Sequence, residues 1–65
     1  MDEDRSKLIR NFEELRGFEL QAYNLYKSLL PLIADKQDQA TVRGIMQDEA
    51  HHAELVQEII DILEA

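Results

Sequence analysis

Apolar residues recur along the chain in two long stripes whose steps alternate between three and four positions. The first stripe comprises Leu8, Phe12, Leu15, Ala22, Tyr26, Leu29 and Ile33. The second comprises Val42, Ile45, Val56, Ile59 and Leu63. Apolar columns flank both stripes: Phe18, Leu25 and Leu32 beside the first, and Met46, Ala53 and Ile60 beside the second. Alternating steps of this kind are typical of packed helices, and the added width predicts a helical bundle rather than a two-stranded coil.

A short polar segment, residues 34–39, separates the two stripes. Asp35 or Asp38 can cap the second helix by accepting hydrogen bonds from its free N–H groups. Pro31 lies inside the first helical pattern, so we expect a kink or a loosened last turn there. Because the connection is short, the helices are expected to be antiparallel neighbours, and residues 1–65 to form a single helical hairpin.

The composition agrees with helix and leaves the hairpin in need of further stabilisation. Only two glycines and one proline occur in 65 residues, and there is no cysteine. A core of this size supplies only about 3–5 kcal/mol, so oligomerisation, a bound metal or both must add to it.

The net charge of −7 argues against nucleic acids and anionic membranes as partners. With neither a long apolar run nor a signal-peptide pattern, the chain is expected to be soluble and cytoplasmic.

Three polar residues interrupt the stripes. Glu19 fills the gap in the first stripe, and Glu49 and His52 fill the two gaps in the second. In an antiparallel hairpin, stripe positions whose numbers add up to 71 lie at the same height, so these three residues converge on one level near the small Ala22. Burying unpaired carboxylates costs several kcal/mol, whereas a divalent cation needs anionic oxygen and neutral nitrogen donors. Because Glu49-x-x-His52 places two donors on one helical face, the three residues predict a metal site.

One hairpin supplies only three ligands and cannot cover its own apolar side. Two hairpins related by a twofold axis would form a four-helix bundle with four glutamates and two histidines, the ligand set of di-iron carboxylate bundles. We therefore expect at least a homodimer, with one iron ion per chain at the interface. Manganese and zinc would suit the same donors.

The segments around these ligands resemble the two metal-binding helices of the ferritin-like superfamily, rubrerythrins included. The resemblance lies in Glu19-Leu-Gln-Ala-Tyr-Asn-Leu-Tyr26 and Asp48-Glu-Ala-His-His-Ala-Glu-Leu55. A two-helix chain with one half-site resembles the encapsulated ferritins. That family has a glutamate, a tyrosine seven residues later, and Glu-x-x-His about thirty residues beyond the first glutamate, and Glu19, Tyr26, Glu49 and His52 match this pattern.

The resemblance implies an all-α fold, an antiparallel two-helix hairpin that dimerises into a ferritin-like four-helix bundle. It further implies a ferroxidase that oxidises Fe(II) to Fe(III) with oxygen or peroxide, for iron storage or detoxification. Glu19, Glu49 and His52 would then be the iron ligands, with the Tyr26 hydroxyl near one of them. The assembly implied is a ring of dimers inside an encapsulin nanocompartment.

Two other functions are compatible with the same residues. One is a rubrerythrin-like, peroxide-reducing di-iron protein, which oxidant preference would distinguish. The other is a metal-free dimerisation module, in which the polar residues fix helix register as a buried asparagine does in coiled coils.

His51 lies one position off the stripe and is expected to be solvated. Leu20 and Tyr23 point away from the stripe and are candidates for a contact between dimers.

Overall fold

The computed structural model describes residues 2–65, which form two long antiparallel helices joined by a short turn. Helix α1 covers Asp2–Leu29, a 3₁₀ turn covers Leu30–Leu32, and helix α2 covers Lys36–Glu64. No strand occurs among these residues. Neither of the described helices contains an apolar stretch of membrane-spanning length. The predicted all-helical hairpin is therefore confirmed.

Two local signals end α1 and begin α2. Pro31 lies in the 3₁₀ turn, where the chain tightens and the N–H of Ile33 donates to the carbonyl of Leu30 at 3.1 Å. Asp35 is the N-cap of α2, and its Oδ1 accepts a hydrogen bond of 2.9 Å from the backbone N–H of Asp38. The expected loosened last turn is confirmed, and of the two candidate caps Asp35 is the one used.

The contact between the helices buries only a narrow strip of α2. Among residues 2–65 the buried side chains are Met46, Ala53, Val56 and Ile60, three of which belong to the column flanking the predicted stripe. Ile59, a member of the stripe itself, stays 37% exposed. Helix α2 is thus rotated about its axis relative to the sequence-based expectation, because the flanking column packs against α1 together with Val56 of the stripe, while Ile59 stays exposed.

One long side of the hairpin remains apolar and exposed. The large exposed side chains on this side are Leu8, Leu15, Phe18, Leu25, Leu29 and Leu32 from the first half of the chain, and Leu55, Ile59 and Ile62 from α2. Their mostly three- and four-residue steps keep each set on one side of its helix. These nine residues are termed the open face. A hairpin with such a surface lacks a closed core of its own.

Candidate metal centre

Glu19 of α1 meets Glu49 and His52 of α2 near the middle of the hairpin. One ligand atom from each of the three residues lies within 4.8 Å of the other two. The Nδ1 atom of His52 is 3.7 Å from Oε2 of Glu19. The predicted convergence of these side chains on one level is confirmed, and their role as metal ligands stays a prediction.

Helix geometry explains why these three side chains meet. Glu49 and His52 are three residues apart, so both project from the same side of α2. Glu19 stands at the matching height on α1 because the turn around Asp35 sets the antiparallel register. Ala22 follows Glu19 by three residues and is only half-buried. Its small methyl group takes up little of the space beside the carboxylates.

The carboxylate of Glu19 disfavours the charged form of Glu49. The pKa of Glu49 is raised above its ordinary value of 4.5, chiefly because its side chain shares a hydrogen bond with Glu19. Partial loss of solvent and the nearby charges of Glu19 and Asp48 raise it further, whereas His52 lowers it. A divalent cation would relieve this repulsion by placing positive charge between the oxygens.

The donor set fits a transition-metal ion but one chain does not complete a coordination sphere. Carboxylate oxygens and a neutral imidazole suit iron, manganese and zinc. The His52 side chain is 53% exposed and that of Glu19 is 19% exposed, so the cluster opens to one side. His52 precedes Leu55, Ile59 and Ile62 by helical steps, which places this opening on the open face. Three donor residues fall short of the roughly four to six positions that such ions take.

The remaining residues singled out from the sequence surround this cluster without entering it. Tyr26 is half-buried, and within residues 2–65 its hydroxyl forms no hydrogen bond to the three cluster residues. Its proximity to a ligand stays a prediction. His51 is exposed, as expected. Leu20 is 44% exposed and Tyr23 is half-buried, and their role in a contact between dimers stays a prediction.

A polar clamp between the helices was not predicted from the sequence. Arg16 donates from Nη1 to Oε1 of Gln57 across the hairpin, and Nε2 of Gln57 donates to Oδ1 of Asp61 at 2.9 Å. Single pairs of long polar side chains leave no periodic signal in a sequence. The one available hint was the near-equal height of Arg16 and Gln57 in the hairpin.

Comparison with known proteins leaves the ferritin-like resemblance untested. No family model, curated protein or solved structure matches this chain. Membership of the ferritin-like superfamily therefore stays a prediction from the two segments that suggested it. The arrangement to be explained is a Glu-Glu-His cluster at the edge of an uncovered apolar side.

Proposed function

We propose that this chain is a ferroxidase-type iron protein whose di-iron centre forms between two copies. The observation that carries the proposal is the cluster of Glu19, Glu49 and His52, which opens onto the open face. Two such clusters together supply four glutamates and two histidines, the donor set of di-iron carboxylate bundles. The substrate would be Fe(II), oxidised to Fe(III) by oxygen or peroxide for storage or detoxification of iron.

The surface area of the hairpin supports a second copy as its partner. Its accessible surface is 5070 Å² for a mass of 7.6 kDa, whereas a compact monomer of that mass exposes about 4300 Å². The difference of about 800 Å² is close to one partner's share of a standard protein interface. A second hairpin laid on the open face would cover this apolar surface and double the number of donors at the cluster.

Each residue of the cluster has a distinct task in this proposal. Bound iron supplies the redox chemistry, which the protein side chains alone lack. Glu19 and Glu49 contribute anionic oxygens, which favour the more highly charged ion. His52 contributes a neutral nitrogen, and its half-exposed ring becomes covered when the second copy is added. The leucines of the open face then exclude bulk water around the cluster and strengthen its electrostatic interactions.

Two adjacent histidines allow a matched test of this function. His52→Ala should lower the rate of Fe(II) oxidation by about tenfold or more, because it removes the nitrogen donor while keeping an apolar, helix-favouring residue. His51→Ala is the control, since His51 is exposed and outside the cluster. The readout is Fe(III) formation after aerobic addition of Fe(II), with helix content checked by circular dichroism. Equal rates in the two variants would remove His52 from the site.

A further inference from the structure

We infer that Gln57 is a positioning residue that holds the guanidinium of Arg16 away from Glu19 and so leaves the Glu19 carboxylate free for a metal ion. This inference rests on the metal centre of the proposed function and adds a residue of α2 that lies outside the cluster. The supporting contact is the polar clamp across the hairpin, in which Arg16 donates to Gln57 and Gln57 donates to Asp61.

Arg16 and Glu19 lie on the same side of α1. The half-buried residues of this helix include a series with alternating steps of three and four positions, namely Ile9, Phe12, Arg16, Glu19, Tyr23 and Tyr26. Such steps keep a set of residues on one side of a helix. Because Arg16 precedes Glu19 by three positions, the two side chains are neighbours on the helix, and an arginine and a glutamate at this spacing can form an ion pair.

An ion pair between Arg16 and Glu19 would compete with metal binding. A carboxylate that accepts hydrogen bonds from a guanidinium has fewer lone pairs left for a cation, and the fixed positive charge of the arginine repels that cation. The other acidic neighbour of Arg16 on α1 is Glu13, which is exposed, so solvent screens its attraction for the guanidinium. Glu19 is half-buried and lies beside Glu49, which makes it the stronger anionic partner.

In the structure the guanidinium of Arg16 is not paired with this carboxylate. Within residues 2–65, Glu19 lies 3.7 Å from Nδ1 of His52, and no ion pair joins it to Arg16. Nη1 of Arg16 donates instead to Oε1 of Gln57. Gln57 is five positions beyond His52, which places it about 140° further around α2. The clamp therefore draws the positive charge of Arg16 away from the side on which the cluster opens.

A second hydrogen bond orients the Gln57 amide. Its Nε2 donates to Oδ1 of Asp61, one helical turn further along α2, at 2.9 Å. An amide carries its donor and its acceptor on different atoms, so this bond leaves the carbonyl oxygen available to Arg16. The amide also accepts from the guanidinium without adding a charge next to the cluster. Gln57 and Asp61 together thus give Arg16 an oriented acceptor away from Glu19.

A double-mutant cycle on metal affinity tests this role. Zn²⁺ is a redox-inert ion that suits the donors of the cluster. Gln57→Met keeps a long, helix-favouring side chain but removes the acceptor, so Arg16 can then pair with Glu19. We expect the affinity for Zn²⁺ to fall by about threefold or more. In an Arg16→Met background, the same change at Gln57 should leave the affinity unaltered, since no guanidinium remains to be held.

Gln47→Met is the matched control and should leave the affinity unchanged, because Gln47 is an exposed glutamine of α2 whose side chain forms no hydrogen bond within residues 2–65. Isothermal titration calorimetry gives the affinities, and circular dichroism and native mass spectrometry check that helix content and mass are equal among the variants.

The outcomes separate positioning from packing and from the proposed function. An equal loss of affinity in both backgrounds would overturn the inference, because Gln57 would then act through packing alone. Unchanged affinity in Gln57→Met would overturn it as well and leave the proposed function standing. The expected cycle in a protein that fails to oxidise Fe(II) would uphold the role of Gln57 while rejecting the proposed function. A wild-type chain that binds no Zn²⁺ would overturn both.

Discussion

Glu49 is the cluster residue whose charged form is disfavoured in the metal-free hairpin. Its pKa is raised mainly by the hydrogen bond with Glu19, which is possible only while one of the two carboxyl groups holds a proton. At neutral pH and without metal, the pair must either keep that proton or place two negative charges side by side. The same two residues that make the site attractive to a cation therefore weaken the metal-free hairpin.

The raised pKa of Glu49 predicts how the stability of the metal-free protein depends on pH. Because the folded pKa of Glu49 is raised above 4.5, its contribution to stability is fully present below that value and is lost as pH rises through the raised pKa. Glu49→Gln removes the titration and keeps a hydrogen-bond donor toward Glu19. In the presence of a chelator, the thermal midpoint of wild type should therefore fall relative to that of Glu49→Gln as pH rises from below 4.5 to neutrality.

Circular dichroism melting curves at a fixed protein concentration provide this comparison. Glu54→Gln is the matched control, because it removes one carboxylate from an exposed position of α2 outside the cluster. Its difference from wild type should depend less on pH. Parallel pH profiles for wild type and Glu49→Gln would contradict the carboxylate coupling described above.

At the scale of elements, both helices and their connection could be predicted from the sequence. The stripes predicted the helices because apolar spacing of three and four reports helical period directly. Pro31 and Asp35 fixed the turn through a missing N–H donor and a capping carboxylate. Once the turn was placed, the height of each residue followed, and so did the meeting of Glu19 with His52.

The rotation of α2 about its axis could not be predicted in the same way. The apolar stripe is wider than a single helix–helix interface. Its sequence therefore does not indicate which column packs within the chain and which stays exposed. In the structure, Met46, Ala53 and Ile60 face α1 while Ile59 stays exposed. The clamp of Arg16 and Gln57 lies on the other side of the hairpin from the open face and is consistent with this rotation.

The cap of α2 offers a test of the element boundary. Asp35→Ala should lower the free energy of unfolding by about 1 kcal/mol, because the N–H of Asp38 loses its acceptor. Urea unfolding followed by circular dichroism measures this loss at constant protein concentration. Lys36→Ala, one position further along and also exposed, should change the stability by less than about 0.5 kcal/mol. Equal losses in both variants would show that the cap does not determine where α2 begins.

At the scale of the whole molecule, an isolated hairpin is too thin to form a closed core. Its extents are 52 × 14 × 10 Å and its radius of gyration is 15.2 Å, against about 11 Å for a compact domain of 65 residues. Only four side chains are buried in the part of the chain that the structure describes. The uncovered leucines and the half-exposed His52 lie on the same side, so the proposed second copy would cover both of them.

The central claim is that two chains together bind two iron ions, and native mass spectrometry tests it most directly. Protein loaded anaerobically with Fe(II) should appear at twice 7.6 kDa, or at an even multiple of that mass, with one iron ion per chain. Glu19→Ala should remain helical and lose most of the bound iron, because it removes the only donor from α1 in the cluster. An iron-free dimer under these conditions, or a monomer that carries iron by itself, would contradict a di-iron centre formed between two copies.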